Sequence, residues 1–217
     1  MYGKTLDGVP GCVEHQFKLW SALTDARHNQ RNIHVCWLDI ANAYGSVCHN
    51  LIVQALHHYH LPAHSIRTVS SLYSNLCTVV STQQWLLNSF YIQIGVHQGD
   101  PLSAAIFNVV INLLLDAIQS QCNHLGYRFS SSSSVVLPAL QYADDTCLVS
   151  NSKENCQTML DVAQRCLDWA LMKAKVNKCA AVAITGQTGR VHDPKLAMAG
   201  EPLPFLADKA VKLHYSR

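Results

Sequence analysis

The chain is 217 residues long, 49% apolar and only 14% charged, with 16 Lys and Arg against 14 Asp and Glu. That composition belongs to one sizeable globular domain and excludes a disordered or fibrous chain. The net charge of +2 is too even to argue for nucleic-acid binding by itself, and the low charged fraction, against about 25% on average, leads us to expect a surface partly covered by something else.

In chain order, Val13 to Ala26 carries helical spacing with Phe17, Trp20 and Leu23 on one side. His34 to Ile40 is a short apolar run that reads as a buried strand ending at Asp39. Asn50 is placed to cap a helix reaching about Tyr59, and Ser65 another reaching about Leu76. Cys77 to Thr82 and Trp85 to Ile94 read as paired strands joined by a polar turn. The clearest start signal is Asp100-Pro101, an N-cap acid followed by proline at the first helical position. Beyond it Ile106, Val109, Val110, Leu113, Leu114 and Ile118 keep a helical period. The serine run Ser130 to Ser134 reads as a surface loop. Pro138 to Tyr142 and Thr146 to Val149 are short strands with Asp144-Asp145 as their turn. Lys153 to about Ala174 is a second amphipathic helix with Met159, Ala163, Cys166 and Ala170 down one stripe. Ala180 to Ile184 reads as a last central strand, and the tail from Gly186 as loop and weak strand. Hairpin-like pairs mixed with helices predict an α+β fold, a sheet backed by helices, and not a doubly wound parallel one.

Nine cysteines without a C-x-x-C pair, several of them inside apolar runs, read as buried thiols and not as a disulfide framework. Together with a first segment lacking a signal-peptide core, they predict an intracellular protein, nuclear or cytoplasmic. Ala104 to Ile118, broken by Asn108, Asn112 and Asp116, is read as too short to cross a bilayer, so no membrane is expected. His57, His58, His60 and His64 have a spacing that suits Zn²⁺, but no acid or cysteine adjoins them in sequence, and a solvated helix end and loop explains them better.

Asp144 and Asp145 at a hairpin tip repel each other. Asp is ordinary turn chemistry, but clustered carboxylates also suit a hard cation such as Mg²⁺.

Tyr142-Ala143-Asp144-Asp145, with an apolar strand on each side, resembles the Y-x-D-D box of reverse transcriptases. It stands in order with companions. Trp37-Leu38-Asp39-Ile40-Ala41-Asn42-Ala43-Tyr44-Gly45-Ser46-Val47 resembles the family's first palm motif, and Gly95 to Ser103 its G-x-x-Q-G-x-P-x-S box. Lys178-Cys179 resembles the lysine motif that follows, Gly8 to His15 the segment before the first palm motif, and Val211 to His214 the start of the primer grip. The form of the first motif and the Lys-Cys pair resemble the non-LTR retrotransposon branch. Gly45 stands where many relatives carry a second Asp, an acid that is not a metal ligand in the family pattern.

The resemblance implies a right-hand polymerase palm over residues 1–217 with part of the fingers, truncated at both ends and without the thumb. The thumb, the rest of the fingers and an endonuclease segment would belong to a longer polyprotein, and the isolated chain is expected to be catalytically feeble or inactive without them. It implies an RNA-directed DNA polymerase that adds dNTPs to a DNA primer on an RNA template, using two Mg²⁺ ions, with Mn²⁺ an alternative. Asp39, Asp144 and Asp145 would be the catalytic and metal-binding acids, with the Ile40 carbonyl as a further ligand. Tyr44 would lie under the sugar and exclude a 2′-hydroxyl, Gln98 and Gly99 would meet template or nucleotide, and Lys178 would serve the leaving pyrophosphate. Asp100 needs only its capping role, and Ser103 reads as a structural hydroxyl. Two rival readings are a catalytically inactive retroelement remnant that binds nucleic acid weakly, and a small Zn²⁺-binding protein built on the histidines. Asp39 and Asp144 are 105 positions apart (144 − 39), so a shared site requires a fold that brings their strands side by side.

Overall fold

The structure is a computed structural model that describes residues 11–97, 99–130 and 135–208. The expectations placed on residues 8–10, on Gln98, on residues 131–134 and on Val211 to His214 fall outside the described residues. The chain opens with α1 (Gly11–His28) and β1 (Ile33–Leu38), followed by α2 (Ala43–Ser46), α3 (His49–His58) and α4 (Ala63–Ser74). A two-stranded ribbon, β2 (Cys77–Thr78) and β3 (Phe90–Tyr91), leads to the long α5 (Pro101–Cys122) and a 3₁₀ turn (Asn123–Leu125). Then come β4 (Tyr127–Arg128), β5 (Val136–Leu137), β6 (Ala139–Tyr142), β7 (Asp145–Ser150) and α6 (Lys153–Trp169). The chain closes with β8 (Ala180–Ile184), β9 (Val191–His192), β10 (Ala197–Met198) and β11 (Glu201–Pro202).

The main sheet has the order β6-β7-β1-β8-β9, and every neighbouring pair in it is antiparallel. Alternation along β1 divides the core between its two faces. Cys36 and Leu38 pack with α3, α4, α5 and α6, whereas Ile33 and Val35 pack with Ala22 and Ala26 of α1. β1 is therefore covered on both sides, as its unbroken apolar run requires. This is the α+β fold that the pattern of elements predicts, in keeping with the polymerase palm that the resemblance implies.

Asp100 caps α5, its carboxylate accepting the Leu102 N–H at 3.0 Å, and Ile106, Val110, Leu114 and Ile118 are buried as expected. The helix with its 3₁₀ extension, Pro101–Leu125, is long and apolar enough to cross a membrane by length and composition, which corrects the shorter estimate from sequence. Here it is the core helix, packed between α3 and α6.

Three other expectations are corrected. In α1 the buried side is Ala22 and Ala26 with Leu19 and Leu23 beside them, and Phe17 and Trp20 face outwards against each other at 6.1 Å. α3 and α4 begin earlier than Asn50 and Ser65, after Cys48 and Pro62, and neither start has a side-chain cap. The pair predicted over 77–94 shrinks to two-residue strands, because among the described residues the ribbon lies on no third strand and its residues are largely exposed.

Candidate active site

The β6–β7 hairpin pairs Tyr142 with Asp145, leaving Ala143 and Asp144 as its two-residue turn. Asp145 is thus the first residue of β7 and not part of the turn. Ala143 takes the left-handed region, with φ 51°, which is costly for a residue with a Cβ. Buried Gln141 braces it: its Nε2 donates to the Ala143 carbonyl at 3.2 Å and to the Ile111 carbonyl of α5 at 3.1 Å. The tip is thereby tied to the core helix. Sequence reasoning missed Gln141, whose only signal was a lone amide in an apolar strand.

β1 brings the third acid. Its ladder with β7 ends at Leu38 and Thr146, so the next position, Asp39, lies level with Asp145. The Asp145 carboxyl is held above its ordinary range, first by burial and then by the charges of Asp144 and Asp39. The three acids therefore feel one another across two strands that are far apart in sequence.

The main chain at Asp39 is fixed from the other edge. The Lys175 N–H donates to the Asp39 carbonyl at 2.7 Å, and the Ala41 N–H donates to the Lys173 carbonyl at 2.8 Å. These two bonds flank the bridge between Ile40 and Ala174. Because carbonyl directions alternate along an extended segment, the Ile40 carbonyl faces the opposite edge, where the hairpin tip lies. The Asp39 N–H donates to Cys179 Sγ at 3.4 Å. Lys178 Nζ stands 4.0 Å from Asp39 Oδ2, with both side chains partly exposed. Among the described residues, no three His, Cys, Asp or Glu side chains are set as a ready cage for a metal ion.

Tyr44 lies beside this edge. Its ring stacks on Phe107 of α5 with centroids 4.3 Å apart and planes 14° from parallel, and its carbonyl accepts the Val96 N–H at 2.9 Å. With His97, Gly99, Asp100 and Ser103 it lines a cleft of about 320 Å³. Gly99 has φ 92°, a conformation that favours glycine, yet an added Cβ would meet nothing within 4 Å. Backbone conformation, and not crowding by the protein, is what calls for glycine there. Ser103 is buried, and its hydroxyl has no hydrogen-bond partner in the structure. A second cleft, of about 350 Å³, opens between α1 and the hairpin and is lined by Gln16, Leu19, Trp37, Tyr142 and Asp145.

Away from the acids, a groove of about 830 Å³ runs between α5 and α6 past His58, Asp116, Arg165 and Trp169. Of the histidine group, His58 Nε2 stands 3.8 Å from Asp116 Oδ2, and that carboxylate accepts the Tyr59 hydroxyl at 2.6 Å. The acid that the local sequence lacked arrives from α5.

Comparison with known proteins bears on the family and the fold. The chain is 28% identical over 177 residues to the Retrovirus-related Pol polyprotein from type-2 retrotransposable element R2DM of Drosophila melanogaster, which covers 82% of this chain and 16% of that protein. It is 28% identical over 178 residues to the corresponding polyprotein from type-1 retrotransposable element R2 of Nasonia vitripennis, covering 80% and 16%. The chain thus spans about one sixth of the length of these relatives. Among solved structures, telomerase from Candida Tropicalis in complex with a fragment of telomeric RNA superposes with a TM-score of 0.60. That match covers 82% of this chain and 32% of the telomerase chain at 11% identity, a likeness of fold. Residues 7–212 match the family described as Reverse transcriptase (RNA-dependent DNA polymerase), and the chain belongs to that family.

Proposed function

We propose that this chain is the nucleotidyl-transfer core of an R2-like retrotransposon reverse transcriptase, adding dNTPs to a primer 3′-hydroxyl on an RNA template inside the cell. The observation that carries the reading is the convergence of Asp39, Asp144 and Asp145 from two neighbouring strands, close enough for Asp144 and Asp39 to raise the Asp145 carboxyl. A donor set of carboxylates and a backbone carbonyl suits Mg²⁺, with Mn²⁺ an alternative. Asp39, Asp144 and the Ile40 carbonyl would hold it, with Asp145 adjacent. When bound, a pair of such ions offsets the clustered charge and stabilises developing charge on attacking and leaving oxygens.

The protein supplies position. Tyr44, held flat against Phe107, would form the floor under the sugar and leave no room for a 2′-hydroxyl. Gly99 and Gln98 would meet the template or the incoming base. Lys178 stands beside Asp39 as a partly exposed cation, placed to attract the pyrophosphate and hand it a proton.

Primer extension on an RNA template with dNTPs and Mg²⁺ tests this. Asp39→Asn and Asp144→Asn are each expected to cut extension by about 10³-fold, the scale for losing a group that stabilises transition-state charge, with the far-UV spectrum unchanged. Undiminished extension in either variant would remove the assignment.

A second reading has one observation in its favour, since no ready metal cage is set among the described residues. It is that of a remnant binding nucleic acid weakly without catalysis. Template–primer binding with no extension at any Mg²⁺ or Mn²⁺ concentration would select it.

A further inference from the structure

We propose that Cys179 is a positioning residue for Asp39, its sulfur fixing the aspartate backbone so that the carboxylate is aimed at a divalent cation; this rests on the metal reading of Asp39 given above.

The reason lies in a break in the β1–β8 ladder. That ladder pairs Ile33 with Ile184 and each following residue in step as far as Trp37 with Ala180. The same step would set Asp39 against Lys178. Instead the segment leading into β8 coils into a helical turn, with the Lys178 and Cys179 N–H groups both donating to the Lys175 carbonyl at 2.7 and 3.2 Å. Pairing resumes only at the Ile40–Ala174 bridge. The Asp39 N–H falls inside this break and has no ladder carbonyl opposite it.

Cys179 fills the break. It is fully buried, and its sulfur accepts the Asp39 N–H at 3.4 Å across 140 positions of sequence. Its own thiol is directed at the Lys175 carbonyl, 3.5 Å away, with the Asp39 carbonyl at 4.0 Å. One neutral side chain thus bridges the turn and the aspartate. Lys178, the residue before it, brings its ammonium to 4.0 Å from the Asp39 carboxylate from the same turn. The turn therefore sets both the backbone and the charged end of Asp39. Removing the sulfur leaves a half-buried N–H without its acceptor and frees the residue that carries the metal ligand. Groups that orient a ligand in this way are typically worth 10–100-fold in metal affinity.

Mn²⁺ titration of the 217-residue chain, read by electron paramagnetic resonance with no nucleic acid present, tests the idea without relying on turnover. Cys179→Ala is expected to weaken Mn²⁺ about 10-fold, and Cys179→Ser, which keeps an acceptor, to recover most of that loss. Cys156→Ala, which empties a buried site on α6 that makes no hydrogen bond to the Asp39 backbone, is expected to lower Tm comparably while leaving Mn²⁺ affinity unchanged. Wild-type affinity in Cys179→Ala, with Asp144→Asn defective, would overturn the positioning role alone. Wild-type affinity in both Asp39→Asn and Asp144→Asn would overturn the metal reading beneath it.

Discussion

Asp145 begins β7 beside two other carboxylates, and burial together with Asp144 and Asp39 holds its carboxyl above the ordinary value of 3.8. A raised carboxyl binds its proton more readily in the folded than in the unfolded chain, so its contribution to stability grows as the pH falls through the folded pKa and is lost as the pH rises through it. At neutral pH the ionised form works against folding. Asp145→Asn is therefore expected to raise Tm at pH 7, and the gain should shrink towards pH 4, where the wild-type group is itself protonating. Thermal melts of the two proteins across that range check the sign, and a lower Tm for the variant at pH 7 would contradict it. Under the reading proposed above, the same repulsion would favour a bound cation. Three acids grouped with one partly exposed ammonium, Lys178, beside them are a local cost to stability of the kind expected where binding or chemistry is done.

Among the elements, the β6–β7 turn shows what local sequence reveals and what it hides. A two-residue turn between apolar strands was legible from Asp144-Asp145 and its flanks. The slip of one residue, which moves Asp145 into the strand, was not, because Ala143 carries no signal for the left-handed conformation it takes. Ala143→Gly is expected to stabilise the chain by about 0.5–1 kcal/mol, with relief of the turn partly offset by the freer unfolded chain. A urea midpoint at or below that of wild type would show that the Gln141 brace removes the strain. Long helices were legible for better reasons. α5 has its Asp100-Pro101 start and an unbroken apolar period, and the caps and stripes act together. α1 was located correctly but turned wrongly, since its contact with the sheet is made through the small residues Ala22 and Ala26. Alanine is weak evidence for a buried face, and the conspicuous Phe17 and Trp20 drew the prediction outwards. No periodicity foretold that β1 would lie between β7 and β8. The pairing of Asp39 with the hairpin came only from resemblance, since strand order is a property of the whole chain.

At the scale of the molecule, the ribbon from Cys77 to Ile94 stands apart. No Asp, Glu, Lys or Arg occurs between Arg67 and Asp100, and Trp85, Leu86 and Tyr91 are 68%, 72% and 70% exposed. Its base is held by the His49 N–H donating to the Gln93 carbonyl at 3.1 Å and the Gly95 N–H to the Val47 carbonyl at 2.7 Å, while the rest projects. A short ribbon with open edges and no charge to discourage pairing is a template for further strands. Trp85→Lys with Leu86→Glu is expected to leave Tm within a degree or so, because neither side chain is packed, yet to suppress light scattering on warming. Unchanged scattering would clear the ribbon of that liability.

The ribbon remains outside even when every other element has found its place. To the cell's surveillance machinery, which reads bare apolar segments as a sign of unfinished folding, a completed molecule and a half-made one would carry the same flag. Covering that segment would then be expected to raise the abundance of such a chain in addition to any gain in the stability of the palm.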